Sequence, residues 1–203
     1  LYGVVDMLVA GRFVGDAGLA AISTASMISF VISSLCIGIT TGGTVLAAQY
    51  RGAEDKKGQK ETIGTLFTMS AILSILITVV GVAVYRPILY MLHVPEESME
   101  YACNYMLIIC MGTVFIFGYN AVCSILKGFG DSKGPLCFVF IATVVNVILD
   151  VLFVGMMDMG TEGAAYATVI AQASSFFIAV IRLKRQRFIF DFRLKSFGIC
   201  SDK

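Results

Sequence analysis

Gly134-Pro-Leu-Cys-Phe-Val-Phe-Ile-Ala-Thr-Val-Val-Asn-Val-Ile-Leu-Asp-Val-Leu-Phe-Val-Gly-Met-Met157 lies between Lys133 and Asp158 and contains one ionisable side chain, Asp150. A stretch this long and this apolar reads as a helix that crosses a membrane. A carboxylate inside such a helix is costly, by roughly 2.5–3.5 kcal/mol on insertion scales, and is read by default as functional. The opening segment, Leu1 to Gly11, repeats the pattern with Asp6 as its single carboxylate.

Composition supports this class. Hydrophobic residues make up 58% of the chain and charged residues 14%, against roughly 25% charged in a soluble domain. Mean hydropathy is +0.86. Further charge-free runs cover 17–50, 62–85, 101–126 and 163–181, each at or near the ~20 residues that span the hydrocarbon core. The expected fold is therefore all-α: a polytopic bundle of six transmembrane helices over about 1–11, 18–50, 62–85, 98–127, 134–157 and 163–183. These form one unit over 1–184, and a basic linker follows at 185–203. Leu1 is already apolar, with neither Met nor a charged flank before it, so the chain is expected to begin partway along its first helix. No signal-peptide pattern is present.

The basic residues orient the bundle. Thirteen of the 15 Lys and Arg fall in the even-numbered gaps and the tail, and only Arg12 and Arg86 lie on the other side. The positive-inside rule places the thirteen, the N-terminus and the C-terminal tail in the cytoplasm. The Arg182-to-Arg187 cluster followed by Phe188, Phe190 and Phe192 suits the anionic inner leaflet, and nucleic acid is not expected as a partner. The six cysteines form no CxxC pair and read as small hydrophobes. His93 stands in a turn beside Glu96 and Glu97 and reads as solvated. In the turn before the fifth helix, Asp131 or Ser132 is the expected cap, and Pro135 fits the first turn. Gly38 to Thr44 offers small residues four apart, a pattern for close helix packing.

Depth narrows the polar candidates. Asp6 precedes Gly11 by about 8 Å, Asp150 precedes Met157 by about 10 Å, and Thr168 lies about 8 Å in from Gly163. Asn146 is one turn from Asp150, so both share a helix face. Helices 1, 5 and 6 can thus bring two carboxylates, an amide and a hydroxyl to one pocket. These are hard oxygen ligands suited to Na⁺ or a shared proton. Tyr105, at the depth of Asp150, and Asn120 further in are additional candidates for the same cavity. A faint echo relates Asp6-x-Leu8-Val9-x-Gly11 to Asp150-x-Leu152-Phe153-x-Gly155. The alternative for each aspartate is a protonated carboxyl that merely bonds a neighbouring helix.

Six segments carry a resemblance. They are Val5-Asp-Met-Leu-Val-Ala-Gly11, Gly18-Leu-Ala-Ala21, Leu46-Ala-Ala-Gln-Tyr-Arg-Gly-Ala53, Gly130-Asp-Ser-Lys-Gly-Pro-Leu136, Asn146-Val-Ile-Leu-Asp150 and Gly163-Ala-Ala-Tyr-Ala-Thr168. Through them the chain resembles the N-terminal half of a multidrug and toxic compound extrusion (MATE) transporter. The Asn-x-x-x-Asp pair on helix 5 is similar to that of the DinF-like branch. The resemblance implies one six-helix lobe of a twelve-helix exporter in the cytoplasmic membrane, working by alternating access, with the second lobe missing from this chain. It also implies a cation site made by Asp6, Asn146, Asp150 and Thr168, which would hold H⁺ or Na⁺ as coupling ion without an organic cofactor. The implied substrates are organic cations or toxic amphiphiles, exchanged for the ion. Two alternatives stay open: a flippase for a lipid-linked precursor, whose anionic headgroup would want Arg or Lys inside a crossing, and a non-transporting membrane fragment. No nucleophile–base set or phosphate loop suggests an enzyme.

Overall fold

The computed structural model describes residues 2–185, so the tail from 186 onward, including Cys200 and the interleaved phenylalanines, lies outside the described residues. The described chain is helical throughout: α1 (Tyr2–Phe13), α2 (Asp16–Gly52), α3 (Lys56–Met91), α4 (Glu96–Gly128), α5 (Lys133–Asp150) and α6 (Gly160–Arg185). Beyond Asp150, α5 continues as a π-helical segment, Val151–Met156. Five of these helices are long and apolar enough to cross a membrane, and the twelve-residue α1 is not among them.

Local chemistry sets the helix ends. Gly15, at φ 86°, takes the left-handed conformation that turns the chain from α1 into α2. Asp55 accepts from the amides of Lys57 and Gly58 at 3.0 and 3.1 Å, so α3 starts at Lys56 rather than at the first apolar residue. At its other end α3 runs through Pro87 to Met91, past the boundary expected at residue 85. Proline removes one amide donor, but near a helix end the freed carbonyl is within reach of interfacial water.

Of the two expected caps for α5, Asp131 serves and Ser132 does not: Asp131 Oδ1 accepts from the Gly134 amide at 2.9 Å. Its Oδ2 accepts from Arg182 Nε at 2.9 Å, which ties the α4–α5 turn to the end of α6. Asp131→Ala is expected to cost about 1 kcal/mol, the usual worth of a cap. The pair with Arg182 is partly exposed and should add little. Thermal unfolding in detergent measures it.

α4 is the hub. Over half of its apolar window (56%) is buried, against 17% for α2 and 11% for α3, so α2 and α3 leave most of their apolar surface outward. One core joins Ile22, Leu89, Met106, Ile109 and Val154, and a second joins Ile63, Leu66, Val122, Leu126, Phe138 and Leu183. Bare backbone permits a close α2–α4 approach, where a Cβ on Gly128 would sit 2.7 Å from Ala47 Cβ and 2.8 Å from the Thr44 carbonyl. Beside it Thr44 and Ser124 share a 2.8 Å hydroxyl bond, and Ser124 also donates to the Thr40 carbonyl.

The small-residue patch of α2 packs only in part. Gly43 lies against Leu66, whereas Gly38 and Gly42 have nothing within 4 Å of where a Cβ would stand. The pattern expected to seat a helix leaves open space at those two positions.

Candidate functional site

Charge distinguishes the two ends of the bundle. The end with the α1–α2, α3–α4 and α5–α6 turns carries Asp16, Glu96, Glu97, Glu100, Asp158 and Glu162, with Arg12 and Arg86. The opposite end is basic. Below the acidic end, α1, α4, α5 and α6 enclose a polar cluster in otherwise apolar surroundings.

Asp6, Asn146 and Asp150 are fully buried, and Tyr105 and Thr168 nearly so. Asp6 is the acceptor at the centre. Its Oδ2 receives the Tyr105 hydroxyl at 2.8 Å and the Thr168 hydroxyl at 2.9 Å, and its Oδ1 receives the Asn146 amide at 3.2 Å. Asn146 Nδ2 also donates to Thr168 Oγ1 at 3.2 Å, which closes a ring of polar atoms across α1, α5 and α6. Three donors from three helices thus converge on this one side chain.

Asp150 is the opposite case. Both of its carboxyl oxygens are buried without a hydrogen-bond partner, as is the amide oxygen of Asn146 one turn away. Asp150 faces the Asp6 carboxyl, close enough for the two to share a hydrogen bond when one of them carries a proton. Buried acceptors without donors are rare, and each calls for an explanation such as an unseen ion or proton. A small cation could be held by all three of these oxygens, whereas a proton would satisfy one Asp150 oxygen and bridge it to Asp6.

The structure brings together Asp6, Asn146, Asp150 and Thr168, the set expected from depth alone, and adds Tyr105 as a direct donor. It does not bring Asn120 to them. That amide lies about 22 Å further along α4 than Tyr105 and donates to the Ile116 carbonyl of its own helix at 2.8 Å.

Two contributors escaped the sequence reading. Ser26 on α2 stands beside the Tyr105 hydroxyl. The π-helical turn begins immediately after Asp150, where the Met157 amide reaches the Leu152 carbonyl five residues back at 3.0 Å. Such wide turns concentrate at functional sites. No residue type announces one, although Gly155 permits the tight contact with the Phe13 ring that accompanies it.

Residues 1–152 match the family model described as MatE. The chain is 32% identical over 188 residues to the probable multidrug resistance protein YoeA of Bacillus subtilis (strain 168), covering 91% of this chain and 41% of that protein. It superposes on the inward-facing conformation of a multidrug resistance MATE family transporter of the MOP superfamily with a TM-score of 0.91. That pair is 25% identical and covers 97% of this chain and 45% of the other. A MATE in the bent conformation gives 0.92 at 26% identity, covering 98% and 44%. This chain therefore spans less than half the length of the relatives it matches. The family match covers most of the sequence and five helices can span a bilayer, so the chain is a multi-pass membrane protein that belongs to the MatE family.

Proposed function

We propose that this chain is the N-terminal lobe of a cation-coupled exporter that moves organic cations or toxic amphiphiles out of the cell in exchange for H⁺ or Na⁺. The second lobe completes the translocation path. The observation that carries the reading is the unequal treatment of two buried carboxyl groups, with Asp6 bonded by three donors and Asp150 by none. Asp6 is the fixed member of the pair, held by its three donors. Asp150, with the Asn146 oxygen, is the group whose charge changes as it takes a proton or shares a Na⁺ with Asp6.

The basic end faces the cytoplasm, as the distribution of Lys and Arg supports. The carboxyl pair then lies in the outer half of the membrane, where it meets the incoming ion. Neutralising Asp150 removes a negative charge from the cavity and weakens its hold on a cationic substrate. A ligand shifts a conformational equilibrium only through different affinity for its two states, and the change in charge supplies that difference. No described crossing has Lys or Arg in its interior, which supports cationic or neutral cargo over an anionic headgroup.

The test is efflux of a cationic dye by the full-length protein in proteoliposomes under an imposed proton or Na⁺ gradient. Asp150→Asn should reduce the ion-driven component on the order of 5–150-fold, the usual range of a coupling free energy. Unchanged gradient dependence would rule out this role for Asp150.

A further inference from the structure

A second site lies away from the carboxyl pair. Near the basic end, α2 and α3 diverge around a cavity of about 490 Å³, lined by Gly42, Leu46 and Tyr50 on one helix and Glu61, Thr62 and Met69 on the other. We propose that this groove is a loading site for an amphipathic organic cation taken from the cytoplasmic leaflet. The inference rests on the exporter reading for its membrane side and substrate class.

The groove is polar at its mouth and apolar at its depth. Glu61 is five residues into α3, about 8 Å from the helix start, whereas Met69 is about 20 Å in. Glu61 is the only charged residue among those lining the cavity. Among the described residues its ion-pair partner is Lys57 at 3.7 Å, with side chains 85% and 41% exposed for Lys57 and Glu61, so an incoming cation can displace the lysine. Tyr50 lines the same mouth and offers an aromatic face to a cation. Deeper in, Ile39, Leu66 and Met69 suit a hydrocarbon or aryl body. The volume lies within the roughly 300–1,000 Å³ of small-molecule sites.

The mouth is built in advance. Asp55 caps α3, Gln59 Nε2 donates to the Tyr50 carbonyl at 3.2 Å, and bare Gly58 lets the Tyr50 ring lie on the first turn of α3, where a Cβ would collide with it. The interior is open because Gly42 has no neighbour where a side chain would project. This is why the small-residue patch leaves space instead of packing.

The experiment measures equilibrium binding of a fluorescent N-alkylpyridinium and of its uncharged analogue to the purified chain in phosphatidylglycerol nanodiscs. Glu61→Gln should weaken the pyridinium roughly tenfold and leave the analogue unchanged. Gly42→Leu, which meets no atom within 4 Å at its Cβ, should weaken both probes while the unfolding temperature holds. Gradient-driven efflux by Asp150→Asn is a separate measurement, so failure of ion coupling and failure of the groove register in different experiments. If Glu61→Gln leaves pyridinium binding unaltered, the site is not a cation site, whatever Gly42→Leu does. Displacement of the probe by added phosphatidylethanolamine, lost in Glu61→Gln, would make a lipid the occupant and also overturn the proposal.

Discussion

Asp6→Ala is expected to lower the unfolding free energy by about 2–4 kcal/mol, whereas Asp150→Ala should cost less than about 1 kcal/mol. The two residues are equally buried, so burial alone predicts equal effects. Their bonding predicts otherwise. Removing the Asp6 carboxylate takes the acceptor from the Tyr105 hydroxyl, which keeps its contact with Ser26, and breaks bonds from Asn146 and Thr168. Interhelical bonds in membranes are worth about 0.6–1.7 kcal/mol each, and an unpaired buried donor adds its own penalty. Part is recovered, because Asn146 still donates to Thr168. Asp150 strands no protein donor when truncated and gives up only its carboxyl–carboxyl contact with Asp6. Thermal or denaturant unfolding of the two variants in the same detergent decides the matter. Equal losses would mean that Asp150 has a protein donor after all, and its part as the group that changes charge would need another basis.

Gly128→Val should destabilise the bundle by about 3 kcal/mol or more, above the usual overpacking range of roughly 1–3 kcal/mol. The obstacle is largely backbone, since the new Cβ would meet the Thr44 carbonyl at 2.8 Å as well as Ala47. A side chain could rotate away from such a contact, but a helix must translate. Moving α4 from α2 also stretches the bonds that Ser124 makes to Thr44 and Thr40, so several contacts fail together. Gly42→Leu on the facing helix, α2, is the matched comparison, because its Cβ meets nothing. A Gly128→Val protein that unfolds at the parent temperature would show that the α2–α4 crossing is not under this constraint.

Much of this architecture was legible in the order of residues. Crossing helices announce themselves by long runs without charge, and the runs at 101–126 and 163–181 lie within α4 and α6. The meeting of Asp6, Asn146, Asp150 and Thr168 was also within reach, because depth counted from the turns restricts which side chains can touch. Ends were less legible. The polar first turn of α3 is helical because Asp55 caps it, and the run through Pro87 depends on position near the surface. Contact partners were not legible. Nothing local to Asn120 reveals that its amide turns back to Ile116, and nothing local to Tyr105 reveals Asp6, which is 99 residues distant.

The wide turn at Val151–Met156 has a mechanical consequence. An added residue per coil shifts the angular phase of everything beyond it, so Val154 and Gly155 press inward against the core and Phe13. The stretch before the joint keeps step with Asn146. One rod thus holds two segments wound out of register, so side chains on either side of the joint face different neighbours although the helix is continuous.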